Sequence, residues 1–166
     1  MMLGSAGMSL RAATPADFAF IRTVASHPEN TPFITDEDET GLAAYLSDTS
    51  SRLLIWQDGA APAGFALFCE VGHPAGWVEL RRLALATTGQ GAGLGFVHAL
   101  TAHGFDVLGA NRIWLDASGE NPRAQKIYDK AGYTLEGCQR RHWWRPSLAR
   151  AVDLMLYGIL REDWRG

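Results

Sequence analysis

The sequence predicts a mixed α/β fold, and three observations carry that expectation. Through the middle of the chain, β-tolerant runs alternate with stretches whose apolar residues recur at helical spacing. Strand pairs with turn residues between them stand towards both ends. The 166 residues, 47% hydrophobic and 20% charged, are enough for one domain with a proper core, expected over residues 8–166. Residues 1–7 are small and unpatterned and read as a flexible extension, with Met8 a candidate natural start.

Taken in order, Ser9 to Ala12 reads as a first strand. Thr14-Pro15-Ala16-Asp17 then supplies an N-cap, a proline at the first helical position and an acid at the third, for a helix to about Ala25. His27 to Pro32 is a breaker-rich loop. Phe33 to Ser47 carries Asp36, Glu37, Asp38 and Glu39 ahead of Leu42, Tyr45 and Leu46. Acids at a helix start suit the macrodipole; an acidic lid for a cationic substrate is the sharper alternative. Leu53 to Gln57 and Gly64 to Glu70 form a hairpin pattern, with Pro62 implying a loop longer than two residues. Val71 to Gly76 is turn-rich, its His73 an exposed loop residue, and leads into a strand over Trp77 to Leu85.

A glycine-rich turn, Gln90-Gly91-Ala92-Gly93-Leu94-Gly95, separates that strand from a helix marked by Leu94, Val97, Leu100, Thr101 and Phe105. Arg112 to Ala117 is a short strand. Asn121 and Pro122 cap and open a helix that stops at Gly132. Tyr133 to Arg141 and Ala151 to Leu160 read as two last strands around a loop, HWWRPSL.

Composition excludes several classes. A net charge of -3 provides no electrostatic footprint for nucleic acid. Cys69 and Cys138 lack metal-ligand spacing, so two plain buried thiols are expected, with no metal site and no disulfide framework. The first residues have no signal-peptide pattern and no apolar run is long enough for a membrane span, which reads as a cytoplasmic protein.

The glycine-rich turn points to an anion. Its alternate glycines let several N–H groups converge without Cβ atoms in the way, at the positive end of the following helix. No Gly-Lys pair follows, which excludes a nucleoside-triphosphate loop. The G-x-G-x-x-G frames from Gly89 and Gly91 end on Leu94 and Phe96, so a dinucleotide fingerprint fails too.

What fits is Q-x-x-G-x-G at Gln90, Gly93 and Gly95, which resembles the acyl-coenzyme-A pyrophosphate loop of the GCN5-related N-acetyltransferase (GNAT) family. A second stretch, LDASGENPRAQKIYDKAGY, resembles that family's N-x-x-A-x-x-x-Y-x-x-x-G-[FY] segment at Asn121, Ala124, Tyr128, Gly132 and Tyr133. The opening LRAATPADF is similar to the family's first strand and helix, and the tail looks like the branch of ribosomal-protein N-terminal acetyltransferases. The resemblance implies a mixed, strongly twisted sheet of six or seven strands flanked by helices, with a splay between the fourth and fifth. It also implies acetyl-coenzyme A as co-substrate. The backbone of Leu83, Ala84 and Leu85 would then pair with the pantetheine, the amides of Gln90, Gly91, Ala92, Gly93, Leu94 and Gly95 would hold the pyrophosphate, and Asn121 and Ala124 would touch the cofactor arm. By analogy alone it implies a homodimer.

Acetyl transfer to an amine needs a deprotonated amine, a donor for the developing oxyanion and a proton or hydrogen bond for the leaving thiolate. The resemblance makes Tyr128 the candidate acid; without it, a tyrosine at helical spacing is a core aromatic. Glu79 is the candidate base, or else a strand carboxylate paired with Arg81 or Arg82, with Glu70 and Glu136 weaker alternatives. Regular alternation would put Glu79 on the face of Arg81 and Leu83, unless a bulge intervenes. His98 and His103 read as structural or exposed. Trp143 and Trp144 line an acceptor pocket, meet a second subunit or pack on the sheet edge, with His142, Arg145 and Arg141 close by. The function expected is N-acetyl transfer to a primary amine, on a protein N-terminus or a small molecule. A non-catalytic acyl-coenzyme-A sensor, or an unrelated phosphate-binding α/β protein, is the alternative.

Overall fold

The computed structural model describes residues 7–166, so the extension expected over residues 1–7 falls, apart from Gly7, outside the described residues. Among the described residues seven strands form one sheet in the order β1-β2-β3-β4-β5-β7-β6: β1 Met8–Ala12, β2 Arg52–Asp58, β3 Ala61–Cys69, β4 Trp77–Leu85, β5 Arg112–Ser118, β6 Thr134–Arg145 and β7 Arg150–Leu160. All neighbours are antiparallel except β4 and β5. Four α-helices cover it: α1 Phe18–Ser26, α2 Glu39–Ser47, α3 Gly93–Ala102 and α4 Pro122–Lys130. No helix among the described residues is long and apolar enough to cross a membrane.

Strand alternation sends side chains to two cores. Leu53, Ile55, Phe65 and Leu67 meet Phe18, Ile21, Val24 and Leu42 from α1 and α2. Their neighbours Leu54, Trp56, Ala66 and Phe68 join Phe96, Leu100 and Tyr128 from α3 and α4 on the opposite face.

Local chemistry sets the helix starts. Asp17 accepts from the Thr14 N–H at 2.8 Å and from both terminal nitrogens of the Arg11 guanidinium, which keeps its carboxyl below the usual range. The expected helix therefore begins with a 3-10 turn, Pro15–Asp17. α2 begins only at Glu39, because Asp38 is its cap and accepts from the Gly41 N–H at 2.8 Å. The other acids are also spent locally: Glu37 on Arg82 and the Tyr45 hydroxyl, Asp36 on Arg22. None of the four acids lines the large cavity, which favours the macrodipole reading over an acidic lid.

Three expectations need correction. The β2–β3 connection is a two-residue turn, with Asp58 opposite Ala61, and Pro62 lies inside β3. A bulge between Trp56 and Gln57 accommodates the proline there. The loop expected at HWWRPSL shrinks to residues 146–149, because Trp143, Trp144 and Arg145 pair with Val152, Ala151 and Arg150. An irregularity after Gln139, with Arg141 at φ 48, had hidden that continuation of the strand. Finally, Cys138 is exposed, since it lies on the edge strand β6, whereas Cys69 is buried.

Candidate active site

The parallel β4–β5 ladder covers only Trp77↔Arg112, Val78↔Ile113 and Glu79↔Trp114. Beyond it both strands continue without pairing with each other, and a cavity of about 1160 Å3 occupies the gap. Glu79, Leu83, Ala84, Leu85, Gln90 to Leu94, Asn121, Ala124 and Tyr128 all line it. Gly95 is not among the lining residues.

A bulge in β4 decides which side chains meet on which face. Leu67 pairs with Arg82 but Phe68 pairs with Leu80, leaving Arg81 as the extra residue. Leu83 and Leu85 consequently pack towards the α3–α4 core with Val78 and Leu80, while Glu79, opposite Cys69, faces the α1–α2 side. Regular alternation, which would have placed Leu83 beside Glu79, does not hold. The cavity thus has two halves separated by the sheet.

On the α3–α4 side the backbone is open. The Ala86 N–H donates to the Ala63 carbonyl at 2.8 Å, and bonding partners alternate along an antiparallel ladder. Ala84 therefore turns its polar groups towards β3, and Leu83 and Leu85 turn theirs to the edge that no strand pairs, where the Leu85 carbonyl accepts from Asn30 Nδ2 at 3.3 Å. At the start of α3 the first helical bond runs from the Phe96 N–H to the Ala92 carbonyl at 3.1 Å, so Gly93, Leu94 and Gly95 have no helical acceptor for their amides. Gly91, at φ 73, makes the left-handed turn that aims this segment, and a Cβ on Gly93 would meet Ile127 Cδ1 at 2.7 Å. Asn121 caps α4 by accepting from the Ala124 N–H at 3.2 Å.

Tyr128 projects from α4 into the same half. Its ring packs on Tyr157 and Tyr133, with centroids 5.6 and 6.1 Å away, and burial pushes its hydroxyl well above the usual phenol range. Among the described residues that hydroxyl has no hydrogen-bond partner, in contrast to Tyr133, which meets Thr101 Oγ1 at 2.8 Å.

On the α1–α2 side, Glu79 Oε1 accepts from Arg81 Nη2 at 2.8 Å and Nε at 3.2 Å. Asp116 and His142 line this half, as does the segment from Pro28 to Thr35. Arg145 holds that segment, donating to the carbonyls of Thr31 at 2.7 Å, Pro32 at 3.1 Å and Ile34 at 2.8 Å. Its guanidinium also lies 4.0 Å over Trp143, which lines the cavity, whereas Trp144 is 59% exposed. Removing the guanidinium while keeping the stem takes a donor from each of three carbonyls, of which Thr31 keeps the Ser147 hydroxyl. Arg145→Met is expected to cost about 2 kcal/mol in urea denaturation and to speed hydrogen exchange at Thr31, Phe33 and Ile34.

The model of the acetyltransferase (GNAT) domain matches residues 8–134. The chain belongs to this GNAT family. Similar sequences include a mycothiol acetyltransferase of Beutenbergia cavernae, 32% identical over 116 residues, covering 68% of this chain and 38% of that protein. An uncharacterised N-acetyltransferase of Mycobacterium tuberculosis is 32% identical over 97 residues, covering 57% and 60%. The chain thus spans less than two thirds of either relative. Among solved structures, a spermidine N-acetyltransferase from Vibrio cholerae in complex with CoA and spermine superposes with a TM-score of 0.86, 19% identity, and coverage of 97% and 99%. A dodecameric form of the Vibrio cholerae enzyme gives a TM-score of 0.78 at 22% identity, covering 95% of each chain. These structures share the GNAT fold, including its splay.

GNAT proteins use acetyl-coenzyme A, and the residues present fit it. An unpaired strand edge suits the paired amides of a pantetheine arm, and a cluster of free N–H groups at a helix start suits a pyrophosphate. Arg123 and Lys130 line the cavity without an ion pair among the described residues. Three features escaped the sequence reading: Asp116, the lining segment from Pro28 to Thr35, and the part of Arg145 in holding it. Only the first had a visible signal, an acid on the polar side of an otherwise apolar short strand.

Proposed function

We propose that this GNAT protein transfers an acetyl group from acetyl-coenzyme A to a small primary amine by direct attack. The observation that carries the reading is the cavity running through the splay, with an anion cradle and Tyr128 on one side and carboxylates on the other. The co-substrate supplies an activated acetyl thioester. Leu83 and Leu85 offer backbone groups to its arm, the amides from Gly91 to Leu94 offer donors to its phosphates, and Asn121 and Ala124 flank it. Free N–H groups of the β4 edge are available to an oxyanion, and Tyr128 donates a hydrogen bond where the sulfur leaves. Glu79 stands at the amine side, one oxygen engaged by Arg81 and the other available to an acceptor.

Charge supports a cationic acceptor. Arg81 and Arg82 are paired with Glu79 and Glu37, which leaves Asp116 as a carboxylate of the acceptor side without an ion pair among the described residues. A polyamine fits this distribution, as does a protein N-terminus, which the likeness of the tail to ribosomal-protein N-terminal acetyltransferases supports. The Tyr128 hydroxyl, without a hydrogen-bond partner among the described residues, favours an enzyme over a sensor. Calorimetry with acetyl-coenzyme A and its dephospho-analogue should show binding that weakens without the phosphates. Thiol release should then follow addition of spermidine or of a short peptide with a free α-amine. Failure of the chain to bind acetyl-coenzyme A would sink the reading.

A further inference from the structure

We propose that the Asp116 carboxylate is the group that takes the proton from the incoming ammonium. This rests on the acetyltransferase reading above and assigns to Asp116 the step for which the sequence nominated Glu79.

The argument is geometric. Glu79 and Trp114 are partners across a parallel ladder, so they share a face, and Asp116, two residues beyond Trp114, shares it as well. Asp116 is placed where β4 and β5 have separated, at the wall of the cavity. The other two carboxylates that line the cavity each have a partner: Glu79 Oε1 accepts from Arg81, and Glu29 accepts from the Thr88 hydroxyl. Asp116 has neither a hydrogen bond nor an ion pair among the described residues. A half-buried carboxylate with no partner is costly to the fold unless it serves a ligand.

The surroundings suit a base. Glu79 and Arg81 stand near it from β4 and His142 from β6, Tyr128 on α4 feels its charge from the other side of the sheet, and β7 places Leu156 opposite it. Burial first, and then the charge of Glu79, push the Asp116 carboxyl up to about 6. The carboxylate is thus deprotonated at neutral pH and more basic than an ordinary aspartate. In the step, R–NH3+ passes one proton to Asp116, giving R–NH2 and a neutral carboxyl. The freed lone pair attacks the thioester carbon, the C–S bond breaks once the C–N bond has formed, the second proton of the nitrogen passes to the departing thiolate, and the carboxyl later returns its own proton to solvent.

The test compares wild type, Asp116→Asn and Glu79→Gln with spermidine and a free-amine peptide across pH 5 to 9. In wild type kcat/KM should rise through about pH 6 and level off. Asp116→Asn should lose that inflection and about 100-fold of kcat/KM at neutral pH, with acetyl-coenzyme A affinity unchanged. A second readout is stability. A carboxyl whose folded pKa is raised contributes stability below its unfolded value, near 4, which is lost as pH rises through about 6. Asp116→Asn should therefore melt higher than wild type at pH 7.5 and level with it near pH 4. An active wild type whose inflection survives in Asp116→Asn, or disappears in Glu79→Gln instead, overturns this inference alone. A wild type that binds acetyl-coenzyme A yet acetylates neither amine overturns the functional reading, and this inference with it.

Discussion

Ala92→Glu should weaken acetyl-coenzyme A binding about 100-fold while leaving the protein at least as stable as wild type. Ala92 is exposed and sits at φ -82, ψ -13 just ahead of α3, a conformation any residue adopts. A carboxylate there meets the positive end of the helix and the idle amides of the first turn, worth about 0.5 kcal/mol to the fold. The same carboxylate occupies and repels the place of a pyrophosphate. Two unit charges about 5 Å apart at an effective dielectric near 20 differ by roughly 3 kcal/mol, which is about two orders of magnitude in affinity. Gly93→Glu is a poorer probe, because any Cβ at Gly93 runs into Ile127 and lost binding could reflect a displaced α4. Gly95→Ala is the control. A Cβ there meets nothing within 4 Å, so it should stabilise α3 by up to about 1 kcal/mol and leave binding alone. Calorimetry and thermal melts on the two variants read both quantities. Undiminished affinity in Ala92→Glu would remove the anion cradle from the account.

Tyr128→Phe should lower kcat by about 100- to 1000-fold, with KM for either substrate and the melting temperature nearly unchanged. The ring contacts with Tyr133 and Tyr157 survive in phenylalanine. The lost hydroxyl bonds nothing in the fold, so no partner is left unsatisfied. Because burial holds it protonated throughout the working pH range, what the variant removes is the one donor that the proposed mechanism places at the leaving thiolate. Tyr133→Phe offers the contrasting result. It breaks the 2.8 Å bond to Thr101 and should cost about 1 kcal/mol of stability without touching kcat. An unchanged kcat in Tyr128→Phe would leave Tyr128 as a core aromatic and reopen the question of how the thiolate leaves.

The legible parts of this protein are those whose cause lies within a few residues. Thr14-Pro15-Ala16-Asp17 and Asn121-Pro122 open helices because their side chains reach an N–H three residues away. The turn from Gln90 to Gly95 and the helix start behind it are legible because the glycines and the helix are contiguous. The hidden continuation of β6 through Trp143 and the bulge at Arg81 were not legible, since both are settled by a neighbouring strand. Pro62 misled for the same reason, its turn being shortened by a bulge in the pairing with β2.

The sequence by itself determined the mixed α/β fold, the glycine-rich turn ahead of α3, the helix carrying Tyr128 and the family to which they belong. Only the tertiary structure decided which carboxylate is free. Glu79 and Asp116 stand far apart in the chain, and they come together because two parallel strands pair for three residues and then part. Arg145 reaches the carbonyls of Thr31, Pro32 and Ile34 across most of the sequence length. Local propensity carries no information about such distant partners; packing on both faces of the sheet supplies it.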